Sequence, residues 1–203
     1  MRRLRAALGL SIIALLVAVL PVLAGNPFSR STSTLRGEWT WNADMVDAER
    51  GVTETGRGVY VAVLDTGLPP NWKDYYPQDR IAEDLGVGFV QDVSFKAHSD
   101  DCGVGVEVGA IRKTSFIGSR SSTHGAHVAS VVIGYNYRSN TDLVQGFPLP
   151  AIQVRGIAPE ATIIPVKVLA DYQLPSLPKC PDGTSHSQTV NFGTSDAIAR
   201  GID

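Results

Sequence analysis

Residues 58–67 read GVYVAVLDTG, a run of Val, Ala and Leu that stops abruptly at Asp65-Thr66-Gly67. A continuous apolar run of this length between glycines predicts a strand buried on both faces of a parallel sheet, since a half-solvated strand would alternate apolar and polar positions. Two further runs, GVGFVQDVSF at 86–95 and ATIIPVKVL at 161–169, predict more strands of that sheet. From His124 to about Tyr135 the small and β-branched residues predict a buried helix, and TSDAIARGID at 194–203 opens like a helix with Thr194 or Ser195 as its cap. WTWNADMVDAERGVTETG at 39–56 allows one or two short helical turns, while 96–123 and the proline-studded 170–193 read as loops.

Strands that alternate with helical segments indicate β-α-β units joined by right-handed crossovers. The expected fold is therefore α/β: three layers, a mostly parallel sheet with helices on both faces. In such sheets ligands bind beyond the carboxyl ends of the strands, which is where Asp65 falls.

The 18 Lys and Arg against 20 Asp and Glu leave a formal charge of −2, which gives no electrostatic reason to expect a nucleic-acid partner. The amino terminus differs in kind from the rest. A basic MRRLR precedes the apolar AALGLSIIALLVAVLPVLA, and Val22-Leu23-Ala24 offers a cleavage site before Gly25, so residues 1–24 read as a secretory signal. An uncleaved membrane anchor is the alternative, because about twenty apolar residues span a bilayer; either way the remainder is expected to be secreted or extracytoplasmic. Residues 25–38, rich in Ser and Thr, read as a polar linker, and 39–203 as the folded part. Export makes Cys102 and Cys180 candidates for a disulfide.

An aspartate ending a buried strand and a histidine opening a helix are the parts of an oriented general base. The carboxylate of Asp65 would hold one nitrogen of His124 and stabilise the imidazolium formed when the other takes a proton. Read singly, each residue has an ordinary structural explanation as a turn former or a helix cap. A rival use of the STHGAHVAS segment at 122–130 is a metal site from His124 and His127, which share a helix face. Zinc, however, needs a third ligand, and none stands at a familiar spacing.

Three segments taken in order decide more. VYVAVLDTGL at 59–68, STHGAHVASVVIG at 122–134 and VRGIAPEATIIPVKVL at 154–169 resemble the signature segments of the subtilisin-like serine proteases, the subtilases. The resemblance spans roughly residues 39–203 and implies a subtilisin-like fold, with Asp65 as orienting aspartate and His124 as general base of an endopeptidase that works through an acyl-enzyme. It implies a peptide or protein substrate, no cofactor for the chemistry, and membrane contact only if the signal stays uncleaved. Calcium often accompanies the family; Asp100 and Asp101 could supply oxygens, but no ligand set is assigned. His127, one turn further into the helix, is expected either to pack in the interior or to support the site residues from beside them.

The chain departs from the family pattern in three ways. Ala126 and Ser130 replace the family's Thr and Gly, small for small, and only a short segment stands where secreted members carry a folded propeptide. More consequentially, the family's nucleophile lies in a Gly-Thr-Ser-Met-Ala segment far beyond the histidine. Ser195, in GTSDA at 193–197, follows the VKVL strand too closely and reads as a helix cap, and Asn191 fails as oxyanion donor for the same reason. The expectation is a catalytic domain incomplete at the C-terminus, lacking nucleophile and oxyanion Asn and so inactive alone. The alternative is a non-catalytic secreted peptide-binding module or pseudoprotease.

Overall fold

Three of the apolar runs lie side by side. The computed structural model describes residues 37–48, 53–98, 103–119, 123–137, 151–176 and 188–203. Residues 1–24, read as a signal, most of 25–38, read as a linker, and Asp100, Asp101, Cys102 and Cys180 lie outside the described residues. After a short helix α1 (Trp41–Asp44), strands β1 (Tyr60–Asp65), β2 (Val87–His98), β3 (Gly103–Thr114) and β6 (Thr162–Lys167) form one sheet in the order β1-β6-β2-β3. The β1/β6 and β6/β2 pairs are parallel, and β2/β3 is antiparallel. Helix α2 (His124–Ile133) runs into the β4 (Gly134–Tyr137)/β5 (Ile152–Arg155) hairpin, a second hairpin joins β7 (Ala170–Leu174) to β8 (Gln188–Phe192), and α3 (Ser195–Ile202) follows.

The two faces of the sheet are covered by different helices. Val61 and Val63 of β1 and Ile163 of β6 belong to the apolar cluster that holds Ala126, Ala129 and Ile133 of α2, together with Trp72, Tyr76 and Phe116. The buried positions of α2, Gly125, Ala126, Ala129 and Ile133, make one stripe, and the small residues in it let the helix lie close to the sheet. The alternate residues, Leu64 and Val166, point the other way, toward Gly201 of α3. The expected α/β architecture, with mainly parallel central pairing and helices on both faces, is thus the observed one.

Two segments read as loops contain strands. Residues 103–114 form β3, which runs antiparallel to β2 from Gly103 opposite His98 to Thr114 opposite Gly88. Its Val residues at 104, 106 and 108 meet Ala97, Phe95 and Val93, so the hairpin has one apolar face. Within 170–193, β7 and β8 pair in register from Ala170–Phe192 to Leu174–Gln188. Phe95, Tyr172 and Phe192 lock the two hairpins together, with Tyr172 and Phe192 stacked at 4.3 Å between centroids. Among the described residues no helix is long and apolar enough to cross a membrane.

Candidate active site

β1 ends where its backbone is captured from two sides. The amides of Val168 and Leu169 both donate to the Asp65 carbonyl, at 2.8 and 3.1 Å, which ties the ends of β1 and β6 together. Gly67 then turns the chain with φ +79°, and a side chain there would meet the Phe116 carbonyl oxygen at 1.9 Å, so only glycine fits. Beyond it Leu68 donates to Phe116 O and accepts from the Gly118 amide.

Helix α2 starts directly over this strand end. Thr123, the residue before it, makes no side-chain cap. The first-turn amide of Gly125 instead donates to Oγ1 of Thr66 at 2.9 Å, so the cap comes from the neighbouring strand. That contact requires glycine at 125, because a Cβ there would lie 2.5 Å from the Gly67 carbonyl oxygen.

Asp65 and His124 meet through this docking. Nδ1 of His124 lies 2.9 and 2.8 Å from the two carboxylate oxygens of Asp65. A carboxylate only accepts, so Nδ1 carries the proton and Nε2 is the nitrogen left to take one from the cleft. Oδ1 of Asp65 also accepts the Thr66 amide at 2.7 Å. The aspartate side chain is 11 % exposed and the histidine side chain 71 %, a buried anchor under an accessible ring.

A cleft of about 500 Å³ opens on that ring, lined by His124, His127, Thr66 and Thr123 and by Leu169, Asp171 and Asn191 from around the β7/β8 hairpin. Asp171 and Asn191 are cross-strand partners. Asp171 Oδ1 accepts from Asn191 Nδ2 at 2.8 Å, and its Oδ2 accepts from Ser119 Oγ at 2.6 Å. The sequence had not placed Asp171 in the site; its only signal is the position just after the VKVL strand, and its partner depends on hairpin register. Asn191 does reach the cleft, with its amide turned to Asp171.

His127 is exposed and lines the cleft wall beside His124, so the expectation that it packs in the interior is corrected. One helical turn beyond His124, it sits on the solvent side of the stripe that buries Ala126 and Ala129. Ser195 is the first residue of α3, whose cap is Thr194: Oγ1 of Thr194 accepts the Ala197 amide at 3.2 Å. No group of three or more His, Cys, Asp or Glu able to hold a metal ion occurs among the described residues.

A model of the subtilase family, peptidase family S8, matches residues 56–177. The chain belongs to the subtilase family. The matched span takes in β1 with Asp65, α2 with His124, and β6. Comparison with curated proteins and with solved structures gives no match. Membership places the chain among peptidases at the level of the family.

Proposed function

We propose that this subtilase is part of an exported serine endopeptidase in which Asp65 orients His124 and His124 is the general base. The observation that carries the reading is the two-oxygen contact of a buried Asp65 with Nδ1 of His124, which leaves Nε2 directed at a cleft. In the reaction, Nε2 takes the proton of a serine hydroxyl as its oxygen attacks the scissile carbonyl. The imidazolium, held by Asp65, returns that proton to the leaving amine, and water then releases the acyl group by the same route reversed. The nucleophile and oxyanion donor are assigned to residues beyond the 203, since Ser195 opens a helix and the Asn191 amide is engaged by Asp171. Without a nucleophile, turnover falls on the order of a million-fold in this type of site.

The test is to sequence the coding DNA past the codon for Asp203 and express what it encodes. Continuation into a Gly-Thr-Ser-x-Ala segment, with fluorophosphonate labelling of that serine and peptide cleavage that needs His124, is the expected result. Fluorophosphonate labelling of the 203 residues alone would refute the assignment of the nucleophile. A stop codon in a transcript that is made would turn the reading to a peptide-binding module, for which the cleft is already built from residues present.

A further inference from the structure

The cleft on His124 does not end at His127. A second cavity of about 570 Å³ shares Thr123 and His127 with it and continues along the same flank of α2, past Ala126 and Ser130. Positions 123, 126, 127 and 130 recur at helical spacing, so one face of the helix is the floor of both. The far wall is made of tyrosines: Tyr75 and Tyr76 follow the 3₁₀ turn at Trp72–Asp74, and Tyr135 and Tyr137 stand on β4.

This wall is fixed rather than incidental. Tyr135 and Tyr137 alternate along a strand and so share one side, while Asn136 between them is 3 % exposed and accepts from Gln153 Nε2 at 3.1 Å. The Asn136 amide donates to the Tyr75 carbonyl at 2.6 Å, which joins the hairpin to the turn. Two of the hydroxyls are turned into the protein's own bonds: Tyr76 donates to the Ala126 carbonyl at 2.6 Å, and Tyr75 accepts from Asn71 Nδ2 at 3.3 Å. Both tyrosines line the cavity together with Pro69 and Asn71.

We propose that this tyrosine-lined cavity receives an aromatic side chain of the peptide that lies across His124. The occupant follows from continuity, because a chain crossing the cleft reaches the cavity over the two residues they share. It follows also from chemistry, because rings gain over aliphatic side chains of similar size from edge-to-face or offset contact with other rings. The proposal rests on the peptidase reading of the cleft, and it adds a preference: substrates carry Phe, Tyr or Trp on one side of the scissile bond.

The test uses the 203-residue chain and capped heptapeptides of alanine with a single Phe or Leu moved along the sequence. Binding is followed by calorimetry and by NMR shifts at His124, Tyr75 and Tyr137. One Phe position is expected to bind about tenfold tighter than Leu at the same place, with shifts at His124 and both tyrosines together. Ser130→Trp, which fills the cavity, and Tyr137→Ala, which opens its wall, are each expected to abolish that preference while shifts at His124 persist. Peptides that bind at His124 with no Phe preference, or with one that survives both variants, would overturn the cavity assignment alone. Absence of any shift at His124 would count against both readings. So would a case in which N-acetyl-phenylalaninamide shifts the tyrosines but no peptide reaches His124.

Discussion

Gly125→Ala sets two physical effects against each other with opposite signs. Helix propensity alone makes alanine better than glycine by about 1 kcal/mol. The structure opposes it: the new Cβ would stand 2.5 Å from the Gly67 carbonyl oxygen, where ordinary contact begins at 3.4 Å, and 3.1 Å from the Gly67 nitrogen. The obstruction is backbone, pinned by Asp65 and Phe116, so it cannot swing aside, and α2 must retreat by about 0.9 Å, the difference of those two distances. Taken up along the Asp65–His124 contact, that retreat stretches 2.8–2.9 Å to about 3.7 Å, beyond hydrogen-bonding range. Overpacking of this kind costs about 1–3 kcal/mol, so after the propensity gain the net expectation is destabilisation by up to about 2 kcal/mol. Urea denaturation gives the first number, and the Nδ1 proton resonance of His124 reports the second effect. A variant that is more stable than the parent and keeps that resonance would refute the claim that glycine at 125 sets the distance between helix and strand.

The same junction yields three further expectations. Thr66→Val keeps the shape but leaves the buried Gly125 amide without its acceptor, which should cost about 1–3 kcal/mol in urea denaturation. Asp65→Asn retains an oxygen for the Thr66 amide but offers His124 an N–H donor. The ring proton should therefore move from Nδ1 to Nε2, seen by ¹⁵N NMR, and turnover of an enzyme containing the nucleophile should fall about 10⁴-fold. Away from the site, the Thr55 hydroxyl, helped by Arg57 and Arg80 and opposed by desolvation, holds the Glu160 carboxyl below its ordinary 4.5. Its contribution to stability is present above pH 4.5 and lost as the pH falls through the depressed value. The stability difference between parent and Glu160→Gln should accordingly shrink below pH 4.5, and a difference that stays constant from neutral to acid pH would contradict this.

How much could be read beforehand depended on whether the signal was local. The buried strands β1 and β6 announce themselves because burial on both faces removes polar residues from the run itself. Asp65 and His124 were found because each sits at a punctuation mark, a strand end and a helix start, inside recognisable words. β3 was missed although Val104, Val106 and Val108 alternate at strand period: the glycines at 103, 105 and 109 look like loop, and the strand is held by pairing with β2 rather than by its own propensity. β7 and β8 are five residues each, set among prolines and far apart in sequence. Neither is a strand without the other, and Asp171 meets Asn191 only once their register is set.

The tyrosine wall was hidden for the same reason, since Tyr75 is joined to the strand that carries Tyr135 and Tyr137 by the backbone amide of Asn136. At the junction itself, three consecutive residues divide the work. Asp65 ends the strand and holds His124, Thr66 caps the helix that carries His124, and Gly67 turns the chain so tightly that the helix can settle on it. The contacts come from three adjacent residues at one strand end, so the histidine's position is determined by the same bonds that attach α2 to the sheet. The geometry of the pair is therefore a property of the fold and not of two side chains that happen to meet. For that reason it is complete within the described residues, whatever supplies the hydroxyl that Nε2 would deprotonate.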